Sequence, residues 1–352
     1  MSAKAVTLKD VAAIAGVDES TVSRVLRGGG KVSDETRTRI VEAAERLDFR
    51  PNALAQSLAR GESKVIGVLV EDVSDIFSAL VLRGAESVFA ASDLATLVYD
   101  AQESPGRRAE LIRKLQARRV DGVLVIGRGS AAPYTSISDR FQVPVVYAFG
   151  VSSSALDTSF VPDDFAVGRM AGEHLLGLGS RHVAHITAAE DTGAQNRAAG
   201  LMSVLEAAGR ALAGRPLLGD WSARWGATAV GQLIDQDTPF DAIFCGNDLI
   251  ALGAFARLRE AGLRIPADVA VLGHDHFVRE RPSEESKVLS TIDPNRSELG
   301  ARAATTLVRA MTGGALPQGL QMVAPTLVVG LTTTPNSDAQ ARRAYDLLEM
   351  LL

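Results

Sequence analysis

From Val65 onward the chain alternates short, wholly apolar runs with longer amphipathic ones. "VIGVLV" (65–70) has no polar residue on either alternate face, the pattern of a strand covered on both sides. A helical stretch bearing Phe77, Leu80, Val81, Gly84 and Val88 follows. "ATLVYD" (95–100) is the next strand, and Pro105 suits the first position of a helix that turns Leu111, Ile112 and Leu115 inward. "VDGVLVIG" and "VPVVYAFG" continue the series, which restarts after residue 162 with "HVAHIT", "AIFCG" and "VAVLG". Two successive βα series predict two doubly wound parallel sheets, with a ligand crevice at the carboxyl ends of their strands.

At 352 residues the chain exceeds what one core usually fills, so two or three domains are expected. Hydrophobic residues at 46% and charged residues at 22% exclude a disordered or fibrous chain. The start, "MSAKAVTLKD", lacks the apolar core of a secretory signal, and no apolar run approaches the roughly 18 residues of a membrane span. The lone Cys245 excludes an internal disulfide and suits a reducing cytoplasm, which is the expected location. A net charge of −5 argues against nucleic acid as a partner of the whole surface. The charge is uneven, however. Residues 1–63 hold 10 Lys/Arg against 9 Asp/Glu, and residues 20–40 place Arg24, Arg27, Lys31, Arg37 and Arg39 against only Asp34 and Glu35. An acidic body with one basic end is compatible with DNA contact through that end.

That end has its own pattern. In "LKDVAAIAGVDESTVSRVL" (8–26), Leu8, Val11, Ala12 and Ala15 form one apolar stripe, and Gly16 supplies the left-handed residue that stops the helix. Asp18 suits an N-cap, and the second helix turns Val22, Val25 and Leu26 inward, leaving Ser20, Ser23, Arg24 and Arg27 outward. A third helix, capped by Ser33, buries Ile40, Val41, Ala44 and Leu47. Two short helices around a glycine turn, braced by a third, form a helix-turn-helix whose second helix enters the major groove. Glu19 then has two readings: an acceptor for cytosine N4, or an acid that favours the positive end of the helix dipole. Arg24 reaches guanine or phosphate, and Ser20, Thr21 and Ser23 reach bases or backbone.

"RPNALAQSLARG" (50–61) runs from a capping Asn52 to a stop at Gly61 with only Leu54 and Leu58 as large apolar groups. A helix this short is marginal alone. It is either a linker or a hinge that orders on DNA and presses Leu58 into a minor-groove step.

The stretch "TLKDVAAIAGVDESTVSRVLRGGGKVSDETRTRIVEAAERLDFRPNALAQSLARGES" resembles the DNA-binding headpiece and hinge of the LacI/GalR family of bacterial transcription regulators. The resemblance implies that Glu19, Ser20 and Arg24 occupy base-reading positions, that Thr7, Thr21, Ser23 and Asn52 lie near phosphates, and that Leu58 is the hinge wedge. The body is similar to the same family's effector domain, itself related to periplasmic sugar-binding proteins, in "RRVDGVLV", "NRAAG", "GDWSARWG", "CGNDLIALGAFARLREAGLRIPADVAVLGHD" and "LSTIDPNRSELG". The implied crossings between subdomains fall near 161, 292 and 325. Arg197, Trp221, Asn247 and Asp275 fall on effector positions, Asp75 and Phe77 on the first loop, and Phe149 where many members carry a polar residue. Arg and Asp suit hydroxyl groups and a Trp ring suits sugar C–H stacking, so a sugar or polyol is the expected effector. Trp221 also reads as core packing, and Asp248 reads better as a helix cap than as a ligand contact. "SDIFS" (74–78), "GHDH" (273–276) and the charged "FVRERPSEESK" (277–287) depart from the family pattern.

The expected architecture is thus an all-α helix-turn-helix headpiece (1–50), a hinge helix (51–62) and an α/β periplasmic-binding-protein-like effector and dimerisation domain (63–335). Within the last, the N-subdomain covers about 63–161 and 293–324, and the C-subdomain about 162–292 and 325–335. The tail 336–352 remains; Ala341, Ala344, Leu348 and Leu351 show heptad spacing, which reads as packing on the core or as a tetramerising helix. "GRGSAA" (127–132) matches Gly-x-Gly-x-x-Ala, but Pro133 follows and Phe149 stands where an acid should be, so no dinucleotide cofactor is expected. His182 and His185 face opposite sides of a strand, while His274, Asp275 and His276 beside the cleft justify one metal assay; no metal is expected. No Gly-x-Ser-x-Gly elbow occurs, and no enzymatic activity is expected. The expected partners are palindromic double-stranded operator DNA, a small effector and a second copy of the chain, possibly four copies through 337–352. A membrane is not among them.

Overall fold

The computed structural model describes residues 6–26, 29, 31–49, 62–102, 104–129, 133–189, 191–276 and 288–334. The chain divides into two compact units, 1–63 and 64–352.

The first unit holds three helices: α1 (Leu8–Ala15), α2 (Glu19–Leu26) and α3 (Asp34–Arg46). Gly16 ends α1 at φ 68°, ψ 39°, the left-handed conformation its sequence position predicts. Ser33 caps α3, its hydroxyl accepting from Thr36 N–H at 3.3 Å. Val11, Ala12, Ala15, Val22, Val25, Ile40, Ala43 and Ala44 form the core. Val41 does not join it: it is 41% exposed, and Ala43 is buried instead. The apolar face of α3 runs 40–43–44–47, and Val41 sits one residue, about 100°, off that line.

The second unit carries two sheets of six strands. The first comprises β1 (Val65–Val70), β2 (Ala95–Asp100), β3 (Gly122–Ile126), β4 (Val145–Ala148), β5 (Thr158–Pro162) and β11 (Gly319–Val323), in the order β11-β5-β4-β3-β1-β2, all parallel. The second comprises β6 (Val183–Ala188), β7 (Leu217–Gly219), β8 (Ala242–Cys245), β9 (Ala270–His274), β10 (Ser290–Asp293) and β12 (Thr326–Val328), in the order β12-β10-β9-β8-β6-β7; only β12 is antiparallel. Strand order reverses beside β1 in one sheet and beside β6 in the other, which creates a crevice at each reversal. The chain passes between sheets after β5, after β10 and after β11. These three passages are bonded together: Asp163 N–H donates to Val323 O at 3.0 Å, and Asn295 Nδ2 donates to Ala324 O and Thr326 Oγ1, both at 2.9 Å.

Seven helices cover the sheets among the described residues: α4 (Ile76–Ala91), α5 (Pro105–Ala117), α6 (Asp164–Gly177), α7 (Thr192–Ala207), α8 (Ala223–Asp235), α9 (Asp248–Glu260) and α10 (Arg296–Met311). Six of them cross in pairs at reciprocal glycines. A Cβ on Gly84 of α4 would lie 1.8 Å from Ser297 O of α10, and one on Gly300 of α10 would lie 1.9 Å from Val81 O of α4. Gly168 and Gly200 do the same for α6 and α7, at 1.8 Å from Arg197 O and 2.1 Å from Phe165 O. Gly226 and Gly253 repeat it for α8 and α9, at 2.1 Å from Ile250 O and 1.7 Å from Ala223 O. Backbone meets backbone at each crossing, so no side chain fits there.

His185 lies wholly inside the second sheet's core, stacked on Phe244 with ring centroids 5.0 Å apart. Its Nδ1 donates to Phe244 O at 2.9 Å, which fixes the neutral tautomer. Burial pushes the pKa down to about 4. Between pH 6.5 and about 4 the unfolded chain therefore binds a proton that the folded chain refuses, and stability falls with pH across that window. The loss is on the order of 3 kcal/mol, complete below about pH 4. Urea unfolding of wild type and His185→Phe at pH 7.5, 5.5 and 4.5 checks this: the variant's midpoint should fall less.

Candidate functional site

In the first unit, Asp18 does more than cap α2. Its Oδ1 accepts from Thr21 N–H at 2.8 Å and from the Ser20 hydroxyl at 2.5 Å, while Oδ2 accepts from the Thr21 hydroxyl at 2.9 Å. The Ser20 hydroxyl, then the Thr21 amide and hydroxyl, lower the Asp18 carboxyl to a pKa of about 2. Ser20 and Thr21 thus spend their protons on Asp18 and keep oxygen lone pairs for a partner. Glu19, Ser20 and Arg24 are exposed; Thr21 and Ser23 are half-buried. Arg24 Nε reaches back to Ser20 O at 3.4 Å. Thr7 is exposed and donates its hydroxyl to Asp10 at 2.6 Å. Asn52 and Leu58 lie outside the described residues, as do the 337–352 tail and the charged 277–287 segment.

In the second unit one cleft of about 380 Å³ gathers Asp75, Phe77, Phe149, Arg197, Trp221, Asn247 and Asp275. Each follows the carboxyl end of a strand, and the loops after β1 and β3 face those after β6 and β8, the two places where strand order reverses. The volume lies within the range of small-molecule sites, near its lower end.

Several of these side chains already have partners. Asp75 caps α4, accepting from Ser78 N–H at 2.8 Å. Asn247, and not Asp248, caps α9, accepting from Ile250 N–H at 2.8 Å. The expectation that Asp248 is the cap fails because it already lies inside the first turn; 1% exposed, it accepts the Thr291 hydroxyl at 2.6 Å. Trp221 is half-buried, packs against the second sheet's core and lines the cleft, with the Arg197 guanidinium 5.7 Å from its ring centre.

Two buried ion pairs dominate the electrostatics. Arg197 Nη1 meets Asp164 Oδ1 at 2.5 Å, and Arg296 Nη2 meets Asp275 Oδ1 at 2.7 Å. Asp164 and Arg296 were not among the residues that the sequence singled out. Arg296 also lies 4.0 Å over the Phe77 ring and 5.3 Å from the Phe149 ring centre. Burial alone would raise the Asp275 carboxyl, but Arg296 and His274 outweigh it and hold the group well below the usual carboxylate range. Burial, opposed by Asp275, pushes His274 down, so its ring is neutral at pH 7. The glycine crossings position both arginines: Gly168 packs on the Arg197 carbonyl, and Gly84 on the carbonyl next to Arg296. The backbone is held in unfavourable conformations at Phe149 (φ 52°), Asp275 (φ 107°) and His276 (φ 51°), the kind of strain that collects at binding sites.

Other sequence signals resolve into structure. Gly127 abuts Phe149 O and the Tyr134 ring, where a Cβ would come within 2.6 Å of both; residues 130–132 of that motif lie outside the described set. Cys245 is buried and its thiol is pushed far up by burial, then by Asp248. Among the described residues no three His, Cys, Asp or Glu form a metal-holding group, and no helix is long and apolar enough to cross a membrane.

Comparison with known proteins agrees with this architecture. Residues 7–52 match the model of bacterial regulatory proteins of the lacI family, and residues 173–333 match that of the periplasmic binding protein-like domain. The transcriptional repressor PurR of Erwinia tasmaniensis is 30% identical over 92% of this chain and 95% of its own length. The chain belongs to the LacI family of bacterial regulatory proteins. The ribose operon repressor of Escherichia coli K12 is 29% identical, covering 92% of this chain and 98% of that protein. Among solved structures, the Lac repressor dimer bound to operator and the anti-inducer ONPF has a TM-score of 0.72 at 28% identity, covering 94% of this chain and all of that one. The complex of the regulator CelR with cellobiose has a TM-score of 0.60 at 26% identity, covering 93% and 99%. As a LacI-family member the chain is a sequence-specific DNA-binding regulator of transcription controlled by a small effector, and its named relatives are repressors.

Proposed function

We propose that this protein is a cytoplasmic repressor that binds a palindromic operator as a homodimer and answers to a sugar or polyol held in the cleft. The observation that carries the reading is the cleft itself: seven side chains from both sheets converge on one cavity, and the three passages between the sheets are bonded to one another. Bonded passages suit a hinge about which two rigid halves rotate, and ligand closing the cleft is the movement such a hinge allows. In this reading residues 1–50 are the headpiece, 51–62 the hinge helix with Asn52 near phosphate and Leu58 as wedge, and 63–335 the effector domain.

Glu19, Ser20 and Arg24 read bases, with Thr7, Thr21 and Ser23 at the backbone. The solvent exposure of Glu19 and Arg24 and the ordering of the Ser20 hydroxyl by the Asp18 carboxylate support the base-reading roles. Glu19→Ala should relax preference at one operator position by about 1–3 kcal/mol while affinity for the relaxed site stays near wild type. Anisotropy titrations against every single-base operator variant read this directly; uniform weakening would reduce Glu19 to a helix-start acid.

Effector and operator must shift each other's affinity by the same factor, of order 1–3 kcal/mol. A thermal-shift screen of sugars and polyols, repeated with operator present, tests the coupling. Ligands whose affinity ignores the operator would sink the regulatory reading.

A further inference from the structure

The cleft has five entering helix N-termini, those of α4, α6, α7, α9 and α10, and such termini ordinarily attract anions. Here the protein has filled four of them with its own side chains. Asp75 caps α4, Asp163 caps α6 through Ala166 N–H at 2.9 Å, Asp191 caps α7 through Ala194 N–H at 2.7 Å, and Asn247 caps α9. The fifth, α10, has Glu298 in its first turn and Asp293 accepting from Asn295 N–H at 2.8 Å just ahead of it.

The cations are spent in the same way. Arg197 is held by Asp164 and Arg296 by Asp275, each pair nine-tenths buried or nearly so. The lining as a whole carries five aspartates against three arginines, Arg128 being the third, and the buried His274 is neutral. A phosphate or carboxylate entering this space finds four of the five helix ends already occupied and meets a surplus of negative charge in a low-dielectric setting, where repulsion is strong. A hydroxyl group finds the reverse. The capping and paired carboxylates each keep lone pairs for O–H donors, and Arg296 Nε and Nη1 and Arg197 Nε, buried without hydrogen-bond partners, are donors awaiting an acceptor.

Arg296 decides the balance. It arises at the start of α10, which packs on the first sheet's α4, and grips Asp275 at the end of β9 in the second sheet. Phe77 and Phe149 fix its guanidinium plane.

We propose that the effector is an uncharged polyhydroxylated molecule, and that the Arg296–Asp275 pair spanning the cleft is what rejects its phosphorylated and carboxylate forms. This rests on the small-molecule reading of the cleft given above. A hydroxyl bridges the pair, accepting from Arg296 and donating to Asp275, whereas an anion must compete with Asp275 for the same guanidinium.

The test is calorimetric titration of the full-length protein with pentoses, hexoses and pentitols, each neutral compound matched to its phosphorylated and its carboxylate form. The tightest ligand should be neutral, with its phosphorylated and carboxylate counterparts at least about tenfold weaker. Asp275→Asn leaves Arg296 without a counter-charge, so the neutral-to-carboxylate affinity ratio should fall at least about tenfold. A cooperative urea-unfolding transition of that variant verifies that the second unit is folded. An anionic form binding wild type more tightly than its neutral match overturns the inference and leaves the cleft a ligand site. An Asp275→Asn ratio equal to wild type removes the role assigned to the pair. Absence of binding by every compound, charged or neutral, overturns the small-molecule reading itself.

Discussion

Gly84→Ala should destabilise the second unit by about 3 kcal/mol or more, the largest effect expected of so small a change. Helix propensity alone points the other way, since alanine in a helix interior gains about 1 kcal/mol over glycine. The tertiary contact reverses the sign. The added methyl would sit 1.8 Å from Ser297 O, backbone against backbone, and no rotamer can relieve it. The only relaxation is separation of α4 from α10, which opens the core formed by Val81, Ala85, Leu299, Ala303 and their neighbours. Because Ser297 follows Arg296, the same shift misplaces the cleft's guanidinium, so effector affinity should fall together with stability. Gly231→Ala is the control. Gly231 lies inside α8, and its Cβ would meet only Arg257 Nε at 3.5 Å. It should be neutral or stabilise by up to about 1 kcal/mol. Equal urea midpoints for the two variants would show that the helices can part without cost.

Asp164→Ala should cost about 3–5 kcal/mol of stability and abolish effector binding. The Arg197 side chain is 8% exposed and Asp164 is its charged partner at 2.5 Å. Removing the carboxylate leaves a guanidinium desolvated and uncompensated. The desolvation argument also predicts the double variant. Asp164→Leu with Arg197→Met removes both charges and should recover most of the lost stability, while effector binding stays lost. Denaturant unfolding of the two singles and the double yields the coupling energy. A double variant as unstable as Asp164→Ala would mean that the site needs the charges for packing geometry rather than for mutual compensation.

Much of the fold was legible in the chain. Gly16, Ser33 and Pro105 occupy the turn, cap and first-turn positions that their chemistry dictates. The apolar runs at 65–70 and 95–100 are β1 and β2 with those bounds. Val41 shows the limit of this reading, since an apolar residue adjacent to a buried stripe looks the same in sequence as one within it. Asp248 shows another, because which of two adjacent polar residues caps a helix depends on where the first turn begins.

Local order in the sequence determined the elements, their buried faces and the two βα series, because strand and helix periodicities are written within a few residues. It also determined the seven cleft residues, through likeness to a family. Only the tertiary structure decided how they are used. Arg197 finds Asp164 from 33 residues away and Arg296 finds Asp275 from 21, and neither spacing carries a periodic signal. The six crossing glycines read in sequence as weak points within helices; in space they are where two backbones touch. Charge pairing and close packing are properties of three-dimensional distance, which a chain fixes only after all of its elements have folded together.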